Sequence, residues 1–113
     1  GSLAIIDCKV SDNDRDSGAF YAPQLEAYAY SLENPAVGEG KKVSTMGLLV
    51  WSPKSADLTG FKVEQKYVPV ERDTARFETL LADLINMLEG DMPDSGEKCE
   101  TCRFISNREA LDL

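Results

Sequence analysis

LAIIDCKV, residues 3–10, is an apolar run broken by two charges, Asp7 and Lys9, on either side of a thiol. Its length and its Ile and Val content predict a β-strand. Residues two apart on a strand project from the same face, so the carboxylate and the ammonium emerge side by side while Cys8 turns to the other face. A strand buried on both faces does not carry such a pair. Either Asp7 and Lys9 form an ordinary ion pair at the strand's exposed end, worth little to stability, or they do chemistry. A carboxylate can ligate Mg²⁺ or Mn²⁺ while a neighbouring lysine orients a water or stabilises charge developing on a phosphate. The tripeptide alone is a weak signal, since Glu64-Gln65-Lys66 repeats its spacing in the same chain.

The residues downstream of each tripeptide distinguish the two. After a polar, acidic loop, SDNDRDSGA at 11–19, the pattern becomes helical, with Phe20, Leu25, Tyr28, Ala29 and Leu32 near a 3.6-residue period. A helix is expected over 21–33, with Pro23 in its first turn and Asn34-Pro35, Gly38 and Gly40 ending it. It carries Gln24 and Tyr28, four apart and so on one helical face. Nothing comparable comes after Glu64. The plain alternatives are a solvated amide for Gln24 and a core aromatic for Tyr28.

Further along, 43–52 (VSTMGLLVWS) reads as a strand that Pro53 stops, KSADLTG as a turn, and 61–68 as an alternating strand completing an antiparallel hairpin. Asp73 or Thr74 caps a helix whose Phe77, Leu80, Leu81, Leu84, Ile85 and Leu88 form one stripe, and Gly90 ends it. Residues 91–113 read as a polar, turn-rich tail containing CETC at 99–102. The fold class expected is α/β: a short mixed sheet flanked by helices, in the order strand, helix, strand, strand, helix. Residues 3–90 form the domain, 91–113 the tail, and Gly1-Ser2 reads as a cloning remnant on a fragment of a longer protein.

Composition narrows the chemistry. Of the 113 residues 42% are hydrophobic and 28% charged, the balance of one small domain, and the net charge of −8 argues against a protein that coats polyanions over its whole surface. No apolar run approaches a membrane span and no signal pattern opens the chain, so a cytoplasmic protein is the expectation. Histidine is absent, which excludes Ser-His-Asp and Cys-His catalysis and His-ligated zinc within the chain. Three cysteines do not describe a disulfide framework.

The run IIDCK, a loop, then YAPQLEAYAYSL resembles the C-terminal part of the catalytic core of the PD-(D/E)XK nuclease superfamily, in its RecB-like exonuclease branch, where an acidic-x-Lys strand precedes a Q-x-x-x-Y helix. The resemblance implies a restriction-endonuclease-like core lacking its N-terminal elements and hydrolysis of DNA phosphodiesters with Mg²⁺ or Mn²⁺. It makes Asp7 a metal ligand, Lys9 the catalytic lysine, and Gln24 and Tyr28 the accessory pair, and it places the four in one cleft. It covers residues 3–33 well and the later elements only in order. In that family a second acidic ligand lies on an upstream strand, and the loop acids Asp12, Asp14 and Asp16 are too close together on too irregular a segment to replace it. One strand carboxylate holds Mg²⁺ weakly, so this chain alone is expected to be inactive and to need the missing half or another subunit.

Cys99 and Cys102 carry a weaker signal. A lone C-x-x-C is half of a zinc site or a redox pair, and in RecB-like nucleases a similar cluster binds an iron–sulfur centre, of which this would be a remnant. Cys8 is expected as a buried small hydrophobe, and Trp51, Tyr67 and Phe77 as core. Lys41-Lys42 is a solvated loop unless a basic groove gathers it with Lys62 and Lys66 into a track for DNA. Two alternatives stand beside the nuclease: a non-catalytic relative that binds DNA or protein, and a small structural domain with a zinc clip between chains. A first strand that has lost its neighbour should expose an unpaired edge and favour homo-oligomers.

Overall fold

In the computed structural model, which describes residues 1–11 and 17–111, the apolar strands assemble into one sheet. β1 (Leu3–Val10) pairs in parallel with β2 (Val43–Asp57), and β2 pairs antiparallel with β3 (Gly60–Val70), giving the order β1-β2-β3 among the described residues. Between β1 and β2 runs α1 (Ser17–Glu33), and α2 (Thr74–Glu89) and α3 (Glu100–Ala110) come after β3. This is the mixed, helix-flanked α/β sheet that the hydrophobic pattern predicts. The loop acids Asp12, Asp14 and Asp16 lie outside the described residues.

Register explains which side chains are buried. Ile5, Asp7 and Lys9 on β1 stand beside Met46, Leu48 and Val50 on β2, and these beside Val70, Val68 and Lys66 on β3, so all nine share one face. α1 lies across that face. Leu25 and Ala29 of α1 close with Val43, Met46, Leu48 and Val50 into the core, against which Ile5, Tyr21, Val68 and Val70 pack. Burying these aliphatic groups is the main term holding α1 to the sheet. The other face is open. Ile6, Trp51 and Tyr67 there are 58%, 40% and 50% exposed, and Cys8 is exposed and free. The expectations of a core Trp51 and Tyr67 and of a buried Cys8 are therefore corrected: period-two alternation separates two faces without saying which one a helix covers. Gly47 on that face is required by close approach, because a Cβ there would overlap the Tyr67 ring.

Several boundaries shift for local reasons. α1 starts at Ser17, four residues earlier than its apolar period shows, so Pro23 sits inside the helix and removes one rung of its hydrogen-bond ladder. β2 runs through Pro53 to Asp57. It tolerates the proline because β1 pairs only as far as Trp51, and because the β2–β3 register shifts between Pro53 and Ser55, where a bulge takes up the missing donor. From Ser52 onward the hairpin continues as a two-stranded ribbon. Its turn is tight: Asp57 Oδ1 accepts from both the backbone N–H and the hydroxyl of Thr59, which lowers the Asp57 pKa, and Gly60 takes a positive φ of 147°.

α2 begins where its cap signal predicts, with Asp73 Oδ1 accepting the Arg76 N–H, and ends with the Gly90 N–H on the Asn86 carbonyl. Phe77 contacts the Tyr30 ring, centroids 5.5 Å apart. The chain divides into two compact units, 1–79 and 80–113, the boundary falling within α2. In the second unit the tail is not only turns: residues 100–110 form α3, capped by Cys99, whose Sγ accepts the Cys102 N–H.

Candidate active site

Asp7 and Lys9 stand at the carboxyl end of β1, where it runs beside β2, the position at which open α/β sheets place their ligands. Lys9 Nζ lies 2.8 Å from Asp7 Oδ2 and donates to Gln24 Oε1 at 3.0 Å. Gln24 Nε2 in turn donates to the Tyr28 hydroxyl at 2.8 Å. The four residues read from the sequence are thus adjacent, linked through polar contacts across the β1–α1 junction. Their spacing comes from the elements: period two sets Asp7 beside Lys9, and one helical turn sets Tyr28 beside Gln24.

Two features give the linkage a direction. The Asp7 carboxylate, the largest cause, raises the Lys9 pKa above its ordinary 10.5 despite partial desolvation, with Tyr21 and Tyr28 adding smaller charge effects in the same direction. Lys9 is therefore a fixed cation at neutral pH and a poor proton acceptor. The Tyr28 oxygen accepts from Gln24, which leaves its own proton to donate outward, and Tyr28 is exposed enough to meet a ligand. Gln24 thus bridges the ammonium and the phenol, whose hydroxyl keeps its proton for an external acceptor.

The sequence pattern did not single out Tyr21, whose ring lies 4.3 Å from Lys9 Nζ and holds the ammonium from beneath. Its position three residues before Gln24 was the available signal. Nor did it disclose a buried ionic cluster at the other end of α1. Glu26, 3% exposed, accepts the Arg72 Nε–H at 2.9 Å and the Asp73 N–H at 2.6 Å. Arg72 reaches both oxygens of Glu33, at 2.9 and 3.0 Å, and Glu33 also accepts the Val43 N–H. The guanidinium, with help from that N–H, holds the Glu33 carboxyl down at about 2. Arg72 further donates to the Val43 carbonyl and the Thr74 hydroxyl. These bonds tie α1 to the start of β2 and to the β3–α2 junction. Two glutamates seven apart on one helix face were the trace left in the sequence.

The donors test the fit of a divalent cation. Asp7 Oδ2 is out of reach of solvent and has, among the described residues, no polar partner but the Lys9 ammonium. It can serve as one hard oxygen ligand. No group of three or more His, Cys, Asp or Glu side chains among the described residues could hold a metal. Asp7 thus supplies part of a site. Cys99 and Cys102 are joined in a disulfide, and in this form neither thiolate is free to bind metal.

The family model of the PD-(D/E)XK nuclease superfamily matches residues 1–106. The chain belongs to that superfamily. No curated protein and no solved structure matches it. PD-(D/E)XK nucleases work on phosphodiesters, with DNA the substrate that membership implies, and generally use Mg²⁺ or Mn²⁺. Among the described residues, no helix is long and apolar enough to cross a membrane.

Proposed function

We propose that this chain carries part of a RecB-like active site for metal-dependent hydrolysis of DNA phosphodiesters. The observation that carries the reading is the linkage of Lys9 to Asp7 on one side and to Gln24 and Tyr28 on the other. A Mg²⁺ or Mn²⁺ ion, when bound, would supply Lewis-acid chemistry at the phosphate, and Asp7 is the residue that would hold it. Lys9 stays protonated and places positive charge where the pentavalent phosphate gathers negative charge. Gln24 holds the ammonium in place from the helix side, and Tyr28 presents its hydroxyl to a phosphate oxygen.

One protein carboxylate binds Mg²⁺ poorly, so we expect the isolated chain to cleave slowly and to need a further carboxylate from a partner segment or subunit. The same shortfall, with Lys9 occupying the Asp7 carboxylate, favours as second reading a relative that binds DNA without cutting it. A Mn²⁺ titration of plasmid and oligonucleotide cleavage, run on the chain and on Asp7→Asn, separates the two. Slow cleavage that rises with Mn²⁺ and vanishes in Asp7→Asn supports the nuclease. Cleavage unchanged by that substitution would sink it, and DNA binding with no cleavage at any Mn²⁺ concentration selects the second reading.

A further inference from the structure

The ribbon beyond the end of β1 points from the candidate site toward solvent and carries cations on one face. Lys9, Val50 and Lys66 stand in register across the three strands, so Lys66 lies on the face of Lys9 about 10 Å away, two strand spacings. Lys62, four residues earlier on β3, projects from the same face about 13 Å further out. Lys54, at the bulge of β2, reaches Glu64 on that face, Nζ to Oε2 at 3.2 Å. Past Trp51 no described strand covers the β1 side of the ribbon, and Lys54, Lys62 and Lys66 are all exposed. In a chain of net charge −8, lysines on this face outnumber its acidic residues among the described part of the ribbon, Glu64 and, near the turn, Asp57, and form a local positive stripe.

We propose that this stripe is the phosphate track of the site, with Lys54, Lys62 and Lys66 each meeting a separate phosphate of a nucleic-acid strand that enters or leaves past Lys9. The proposal rests on the nuclease reading above. Steps of about 10 to 13 Å correspond to three or four nucleotide rises of a B-form strand, so one strand can touch successive lysines. The register also divides the basic residues. Lys41-Lys42 precedes Val43, which pairs with Leu3 at the far end of β2, so it does not join Lys62 and Lys66.

Fluorescence anisotropy of labelled single-stranded and duplex oligonucleotides, in EDTA to prevent cleavage and over a salt series, tests the track. The triple variant Lys54→Gln, Lys62→Gln, Lys66→Gln should bind about tenfold more weakly or worse, and its log–log salt slope should fall by about 2 to 3, as loss of three phosphate contacts requires. Glu64→Gln should bind two- to threefold more tightly, a gain that misfolding cannot mimic. Lys41→Gln, Lys42→Gln should stay within twofold of the parent. If the triple variant keeps the parent's affinity and slope, the track is overturned while the metal-dependent cleavage test of Asp7 still stands. If the parent binds no DNA at the lowest salt, track and nuclease reading fall together.

Discussion

At the scale of single residues, the candidate site is a chain of donors and acceptors running from Asp7 through Lys9 and Gln24 to Tyr28. Lys9 is fixed as a cation by Asp7, and Gln24 spends its carbonyl on Lys9 and its amide on Tyr28. The phenolic proton is left to donate outward. Tyr28→Phe keeps the ring and removes that proton, so turnover with Mn²⁺ should fall on the order of tenfold or more, the range of a lost positioned donor. Melting temperature should hold, since the hydroxyl is exposed. An unchanged rate in steady-state assays would assign Tyr28 to packing. The adjacency of the four candidate residues was legible because two short periods, two on a strand and four on a helix, place them. Tyr21 was not, because a ring beneath an ammonium has no spacing rule of its own when the loop before it is irregular.

Among elements, α1 is held to the sheet by two different forces at its two ends. Near Lys9 the bonds are few and run from a part-buried ammonium out to an exposed phenol; near Glu26 and Glu33 they converge on one guanidinium. Arg72→Ala leaves Glu26 as a buried carboxylate without its cation, a change that costs about 3 kcal/mol in comparable pairs, readable as a drop in the urea midpoint. Acid acts through Glu33. Its carboxyl lies near 2 in the folded chain against an ordinary 4.5, so it adds stability above pH 4.5, and that stability is lost as pH falls from there toward 2. Glu33→Gln should be less stable than the parent at pH 6, and the gap should close as pH approaches 2 in denaturant titrations. A gap that stays constant with pH would show that Glu33 contributes through packing alone. The cluster was hard to see in the sequence because its parts lie 46 and 39 residues apart, and no local period links Arg72 to either glutamate.

At the scale of the whole molecule, the succession of the three strands and the first two helices was legible from hydrophobic pattern and turn chemistry, while burial was not. The alternation along β1 and β3 divides inward from outward correctly, yet a sheet has two faces and only contact with α1 decides which is covered. α3 escaped notice because Phe104 and Ile105 are its only large apolar residues, too few to make a stripe. The open face and the β1 edge, which no described strand covers, make association the natural fate of this chain at high concentration. Size-exclusion chromatography with light scattering should show a concentration-dependent dimer or larger species, and Ile6→Lys, which sets a charge on that edge strand, should return it to a monomer. A monomer at every concentration of the parent would remove the expectation.

The placement of Asp7 and Lys9 on β1, an edge strand of the sheet among the described residues, ties that association to the chemistry. Whatever pairs along β1 settles within a few ångströms of the groups that would grip a phosphate. Occupancy of the strand and occupancy of the site are then two ligands of one element, each obliged to change the other's affinity by the same factor. Added DNA should therefore redistribute the chain among its assembly states, and self-assembly should tune how readily DNA is held.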